Sequence, residues 1–558
     1  MLMPGVRNPM PGVVYPTQAA LERYVTNGPL GEETLAEALM SALGRWPDRV
    51  AVSSPEGAIT HGQLDHDSDC FAGALMEMGL KPLDRVVFQV FNSIELVVAI
   101  VACWKADLIP VCTLAAHRDA EISYLAGHSG ARAHFIGIEE RFDFAGFARG
   151  IAAKTPSMEH LVVIRGDGPD DIPDMTAMIA SQDREAARAR IEAIERDPYQ
   201  VTVFQLSGGT TSIPKIIPRF SNEYLYNMQA FADWEYFDEN TVTFMPLQVI
   251  HNAAMVCFVF PTLLRGGETI VTATVDPPTL FGLIQQRKPT YFGVIGTALS
   301  RMQQVGARNL LPLEQVKGVF STNAARKTEE VLGVKGIPLF GMTEGLIAFG
   351  RPTDPEEARF TTIGRPISEW DEVRIVEPGT ETDVAPGETG EMISRGPYTF
   401  CGYYDAEERN REVFTSDGFF RSGDLMAARE IEGETYYSFE GRLKDIVSRG
   451  GEKINCEEVE HASRRHPGVG DILIVAMPDP QYEERACAFV IPSGARAAPD
   501  VKGLMEFLVG EGLAKYKCPE RIELIDEFPL TDSGKPSKPK LKTMIREKLR
   551  GEAAGASQ

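Results

Sequence analysis

Helix-length and strand-length segments alternate along the chain as far as about residue 345. Residues 33–44 and 61–80 read as amphipathic helices, Val86-Val87-Phe88-Gln89-Val90 as a buried strand, 93–105 as a helix and Leu108-Ile109-Pro110-Val111-Cys112 as a second strand. Parallel strands need a crossover long enough to hold a helix, so this alternation predicts α/β layers on largely parallel sheets. The charged segment 184–196 predicts a solvent-facing cover helix. After about 365 the texture changes. Strand-like Glu372-Val373-Arg374-Ile375-Val376 and Gly390-Glu391-Met392-Ile393 are separated by turn-rich pieces such as Ala385-Pro386-Gly387-Glu388, which predicts a β-rich subdomain. From about 445 to 547 a smaller α+β unit follows, with a helix near 456–465 and strands at Asp471-Ile472-Leu473-Ile474-Val475 and Ala488-Phe489-Val490-Ile491. The small, polar residues 551–558 are expected to fray.

Charge narrows the class of partner. Asp and Glu number 79 against 56 Lys and Arg, a net charge of −23. An acidic surface repels nucleic acid and anionic membranes, so neither is an expected partner, whereas a local basic pocket for a phosphorylated small molecule is compatible with it. The longest apolar run, Leu96 to Trp104, is shorter than the ~20 residues that span a bilayer. The start, Met1-Leu2-Met3-Pro4-Gly5, lacks the pattern of a signal peptide. Cysteines at 70, 103, 112, 257, 401, 456, 487 and 518 form no Cys-x-x-Cys. Free thiols in a reducing cytoplasm are therefore expected rather than a zinc site.

The strongest local signal is Leu206-Ser207-Gly208-Gly209-Thr210-Thr211-Ser212-Ile213-Pro214-Lys215, directly after the apolar strand Val201-Thr202-Val203-Phe204. Small residues let backbone wrap closely around an anion, and hydroxyls with a Lys add donors and charge. A Gly-rich solvent turn is the competing reading, and the spacing is not that of a P-loop. The hydroxyl cluster with Lys215 favours phosphate.

This loop resembles the phosphate loop of the adenylate-forming superfamily: acyl- and aryl-CoA synthetases, adenylation domains of peptide synthetases, and luciferases. Further signatures of that family follow in order. They are Phe340-Gly341-Met342-Thr343-Glu344-Gly345, Gly387-Glu388-Thr389-Gly390-Glu391 and Phe420-Arg421-Ser422-Gly423-Asp424. Then come Gly441-Arg442-Leu443-Lys444-Asp445 with Arg449-Gly450-Gly451-Glu452-Lys453, and Pro529-Leu530-Thr531-Asp532-Ser533-Gly534-Lys535. Within the superfamily the chain is most similar to the 2,3-dihydroxybenzoate and salicylate AMP ligases. The resemblance implies an α/β fold: a large N-terminal lobe over 1–443 that binds ATP and acid, a hinge at Lys444, and a small mobile α+β domain over 445–558.

The resemblance implies a two-step ligase. A carboxylate attacks the α-phosphate of ATP to give acyl-AMP and pyrophosphate; a thiol then attacks the acyl carbon and releases AMP. Lys535 matches the catalytic lysine that bridges α-phosphate and carboxylate. Glu344 matches the carboxylate that holds Mg²⁺, with Thr211 assisting, and a hard cation suits such oxygen ligands. Ser207, Gly208, Gly209, Thr210, Thr211 and Lys215 would cradle phosphate; Phe340, Gly341, Met342 and Thr343 would border the nucleotide, with Phe340 stacked on adenine. Asp424 would take the ribose hydroxyls with Arg442, while Gly450 and Gly451 would let a pantetheine arm pass.

In Pro246-Leu247-Gln248-Val249-Ile250-His251-Asn252, the resemblance puts His251 at the floor of the thiol tunnel and Asn252 on an ortho substituent or the carboxylate of an aryl acid. Ala253 stands where relatives carry a bulky aromatic, and Cys257 and Ile347 would complete the acid pocket. Exchanging an aromatic for Ala opens space on the order of a phenyl ring unless neighbours fill it. Ser212 replaces a Gly usual in the loop, and Val319-Phe320-Ser321-Thr322-Asn323-Ala324-Ala325 replaces the usual adenine-contacting turn. This drift leads to the expectation of an aryl-CoA ligase using ATP, Mg²⁺ and coenzyme A, as a monomer or homodimer. The alternative is a stand-alone ligase that loads an aryl carrier protein in siderophore-type biosynthesis. A third reading, a nucleotide-binding protein without catalysis, is weakened by the presence of Lys535, Glu344, Asp424 and Arg442.

Overall fold

A computed structural model describes residues 5–556 except 141, 208–213, 245, 275, 295–298, 300, 301, 304, 305, 307, 309–312, 322, 323, 450, 451, 480, 481, 495, 512, 514 and 532–534. The chain forms two compact units. One comprises Met1–Glu372 with Ser394–Phe420, the other Val373–Ile393 with Arg421–Gln558.

Among the described residues the first unit holds two sheets. In the six-stranded sheet the order is His160–Arg165, Ala133–Gly137, Arg85–Gln89, Ile109–Val111, Val201–Ser207 and Lys215–Phe220. The first five strands run parallel and the last antiparallel. Among the described residues the second sheet has nine strands, with six parallel ones at its centre, from Gly336–Gly341 to Val50–Ser54. The expected parallel α/β architecture is therefore present. The helix Ile94–Lys105 shows how sequence sets the layers. It is apolar almost all round and ten of its residues are buried, as an interior helix requires. Ser93 caps it, its hydroxyl accepting from the Leu96 amide at 3.2 Å. Thr34 with Glu37, and Thr60 with Gln63, form capping boxes that start the helices Leu35–Arg45 and His61–Glu77.

The second unit carries a four-stranded sheet, Glu372–Val376, Gly390–Arg395, Phe420–Ile431 and Glu434–Arg442. It also has a five-stranded sheet led by the long antiparallel pair Val469–Asp479 and Glu483–Pro492. The helices Cys456–Ser463, Val501–Gly510 and Lys538–Ala556 complete it. All eight cysteines are free. Among the described residues no helix is long and apolar enough to cross a membrane.

Two local expectations need correction. The helix Arg184–Glu192 is more than a solvated cover. Arg184 and Arg188 reach Asp65 and Asp69, whose carboxylates also hold Lys105 Nζ at 2.7 and 2.6 Å in the protein interior. Charged residues follow no apolar period, so their burial against one another is invisible to a periodicity reading. Residues 551–556, expected to fray, continue the helix Lys538–Ala556. Glu552 anchors its last turns by accepting from Arg521 at 2.6 and 2.9 Å.

Candidate active site

The phosphate-type loop joins two antiparallel strands, with Ser207 opposite Lys215 where the pair opens. Gly208, Gly209, Thr210 and Thr211, expected to cradle phosphate, lie outside the described residues, as does Ser212. Ser207 is buried, and its hydroxyl has no hydrogen-bond partner among the described residues. Lys215 holds its Nζ 4.8 Å from the centroid of the Tyr403 ring. Burial, and then the guanidinium of Arg409, hold the Lys215 ammonium below the ordinary lysine value, against the pull of Glu344 and Glu412.

Glu344 sits in the turn between the antiparallel strands Gly336–Gly341 and Ile347–Phe349. The turn is closed by the Met342 amide donating to Leu346 O and the Gly345 amide donating to Met342 O, both at 3.1 Å. Phe340, Gly341, Met342 and Thr343 lead into it. Two contacts fix Glu344: its Oε1 accepts from the Tyr403 hydroxyl at 2.8 Å, and its carbonyl accepts from the Phe400 amide at 2.8 Å. Behind the turn, the fully buried Arg219 donates twice to Glu223 at 2.8 Å, to Thr343 O at 3.0 Å and to Tyr398 O at 3.1 Å. Arg219, Glu223 and Tyr403 were not among the residues the motifs single out. The one signal for the first two is an Arg and a Glu four apart where a strand passes into a helix.

The oxygen chemistry of Glu344 fits a hard cation. Its second carboxylate oxygen is engaged by no described residue, and Mg²⁺ is commonly held by one or two carboxylates while substrate phosphates supply other ligands. No group of three His, Cys, Asp or Glu is gathered for a metal among the described residues.

His251 starts a short helical turn, Asn252–Ala254, its Nδ1 accepting from the Ala253 amide at 3.2 Å. The chain then widens into a π-helical turn, Met255–Val259, that buries Cys257. Burial pushes the Cys257 thiol far up, which favours its neutral form. Asn252 is buried, and its Oδ1 accepts from the Tyr224 hydroxyl at 2.9 Å. Ile347 is buried on the hairpin strand Ile347–Phe349. Ala253 is half-buried.

In the second unit, Asp424 and Arg442 are opposite each other in the pair Phe420–Ile431 and Glu434–Arg442. Arg442 Nε lies 2.9 Å from Asp424 Oδ1, and the Asp424 amide donates to Ser422 Oγ at 3.0 Å. Lys535 sits on a tight turn. Its amide donates to Thr531 Oγ1 at 3.1 Å and its carbonyl accepts from the Thr531 amide at 2.7 Å. Although Lys535 keeps part of its surface in solvent, lost hydration and then the like charge of Arg442 lower its ammonium from the ordinary lysine value. Asp424, Arg442 and Lys535, 111 residues apart in sequence from first to last, thus share one neighbourhood. Leu443–Asp445, which includes Lys444, is a single 3₁₀ turn between two strands. Gly450 and Gly451 lie outside the described residues.

Comparison with known proteins agrees with the motif reading. The AMP-binding enzyme family model matches residues 40–404, and the model of the AMP-binding enzyme C-terminal domain matches 458–535. The chain is 39% identical to triostin synthetase I of Streptomyces triostinicus, covering 91% of this chain and 94% of that one. It is 35% identical to the 2,3-dihydroxybenzoate-AMP ligase of Bacillus subtilis, covering 95% and 96%. It is also 35% identical to a salicylyl-CoA synthase / salicylate adenylyltransferase of a Streptomyces species, covering 96% and 98%. Among solved structures it is similar to apo MbtA of Mycobacterium smegmatis, with 28% identity, a TM-score of 0.72 and coverage of 95% and 98%. The chain belongs to the AMP-binding enzyme family and is an AMP-forming ligase of the aryl-acid adenylating type.

Proposed function

We propose that this enzyme activates a hydroxylated aryl carboxylic acid as its acyl-AMP and transfers it to the pantetheine thiol of a carrier protein. The observation that carries this reading is full-length similarity to a 2,3-dihydroxybenzoate-AMP ligase. It displaces the acceptor expected from the altered pocket, coenzyme A, to second place. The CoA reading keeps one specific support, the similarity to a salicylyl-CoA synthase.

In the first half-reaction an acid oxygen bonds to the α-phosphorus, and the bond to pyrophosphate breaks. Lys535 places a cation where charge builds between carboxylate and α-phosphate, a fixed charge that acts most strongly in the transition state. Asp424 accepts from the ribose hydroxyls while Arg442 holds its carboxylate in place. Phe340 offers a ring face to adenine. Glu344, fixed by Tyr403, would hold Mg²⁺ with Thr211, and the ion when bound neutralises phosphate charge. Asn252, Ala253, Cys257 and Ile347 line the acid. In the second half-reaction the thiol sulfur bonds to the acyl carbon, AMP leaves, and the thiol proton is lost. His251 would border the thiol's path, with Gly450 and Gly451 leaving room for the arm. Lys444 would be the hinge between 1–443 and 445–558.

The test is acid-dependent ATP–pyrophosphate exchange across a panel of aryl acids. Exchange supported by hydroxybenzoates or larger hydroxyaryl acids, and not by aliphatic acids, is the expected result. Exchange with aliphatic acids alone would contradict the acid class.

A further inference from the structure

Asn227 lies midway along the helix Ser221–Trp234 and is fully buried. Neither its carboxamide oxygen nor its nitrogen has a hydrogen-bond partner among the described residues. A carboxamide can accept and donate at once, and burying both halves unpaired is costly, so native interiors rarely contain one. Its neighbours on the helix say where it faces. One turn back, Tyr224 reaches Asn252 at 2.9 Å, and Glu223 holds the Arg219 that donates to Thr343 O and Tyr398 O. One turn on, the Phe231 ring is 4.8 Å from that of Phe349 and 6.1 Å from that of Phe258. Phe349 lies on the same side of its strand as Ile347, and Phe258 follows Cys257.

The wheel of an α-helix puts residues three and four apart on one face. Asn227 therefore lies on the helix face whose other residues, Tyr224 and Phe231, meet the segment carrying Asn252 and Phe258 and the strand carrying Phe349. Those elements carry Asn252, Cys257 and Ile347, the residues proposed above to line the acid. Asn252 has its oxygen already committed to Tyr224, whereas Asn227 has both groups open.

We propose that Asn227 is a specificity-determining residue of the acid site, its carboxamide hydrogen-bonding a ring hydroxyl of the aryl substrate. A hydroxyl, which donates and accepts, can satisfy both halves of the amide. The inference rests on the aryl-acid reading of the function. A site built to hydrogen-bond a hydroxyl discriminates strongly against the analogue lacking it, because its own polar group is then left unpaired.

The experiment compares kcat/KM in ATP–pyrophosphate exchange for pairs of aryl acids that differ by one ring hydroxyl, placed in turn at each ring position. The proteins are wild type, Asn227→Leu and Asn227→Ser, each also melted thermally. For at least one pair, Asn227→Leu should lower the ratio of hydroxylated to unsubstituted acid by about tenfold or more, with Asn227→Ser intermediate. The melting temperature of Asn227→Leu should not fall, because an unpaired polar group is replaced by an apolar one of similar volume. A ratio unmoved for every pair, in whichever variant folds, overturns the proposal while leaving aryl-acid activation intact. Wild type inactive on all aryl acids overturns that reading and this one together.

Discussion

Glu235 closes the helix Ser221–Trp234 with its carboxyl fully buried and both oxygens without a hydrogen-bond partner among the described residues. Burial pushes its pKa up to about 8, with Arg351 pulling the other way. The folded state thus keeps a proton that the unfolded chain releases above its ordinary carboxyl range. Between about pH 5 and 8 the native state binds more protons than the unfolded one, so this residue makes stability fall as pH rises. Glu235→Gln should remove that slope. Its stability relative to wild type should grow by up to about 1.4 kcal/mol per pH unit across the window, read from denaturant melts at several pH values. A difference independent of pH would place the proton elsewhere. Lys535→Ala tests the other end of the chemistry. Acyl-AMP formation should fall by about 10²–10³, while thioester formation from supplied acyl-AMP survives. Equal losses in both half-reactions would contradict its role. Lys535, Asp424 and Glu344 stand out in the sequence as candidates because motifs fix their spacing. Asn227 and Glu235 do not: a polar residue at an inward helical position becomes visible only when the partners around it are known.

Arg219 and Glu223 join strand, helix and hairpin. Arg219 is next to last in one strand, Glu223 lies in the first turn of the next helix, and the guanidinium meets the backbone of the turn that carries Glu344. Arg219→Met should strip Glu223 of its buried partner and cost about 3–5 kcal/mol. Arg219→Met with Glu223→Leu should regain most of that stability but not the hold on Thr343. The double variant should therefore melt near wild type and still show a raised KM for ATP. A double variant with unchanged KM would mean that the turn holds itself. Elements were the scale at which sequence spoke most clearly. Apolar runs mark the helix Ile94–Lys105 and the strand Arg85–Gln89 to within a residue or two. The Lys105–Asp65–Asp69 cluster behind them was hidden, because ion pairing in three dimensions leaves no period in the chain.

The whole molecule comprises two units whose chain segments interleave near 373–420. The change of texture read near 365 in the sequence lies close to the first crossing. The interleaving itself was not legible, because strand pairing between distant segments depends on topology rather than local composition. If Lys444 is the pivot between half-reactions, Lys444→Pro, which fixes φ near about −65°, should leave exchange intact and cut thioester formation at least tenfold. Unchanged overall turnover would remove Lys444 from that role. The acceptor is the central claim, and one competition measures it. Enzyme, ATP and the best exchanging aryl acid are incubated with equal concentrations of coenzyme A and a phosphopantetheinylated aryl carrier protein, and both thioesters are followed by mass spectrometry. The account predicts that the carrier protein is acylated first; accumulation of aryl-CoA with the carrier left unloaded would contradict it.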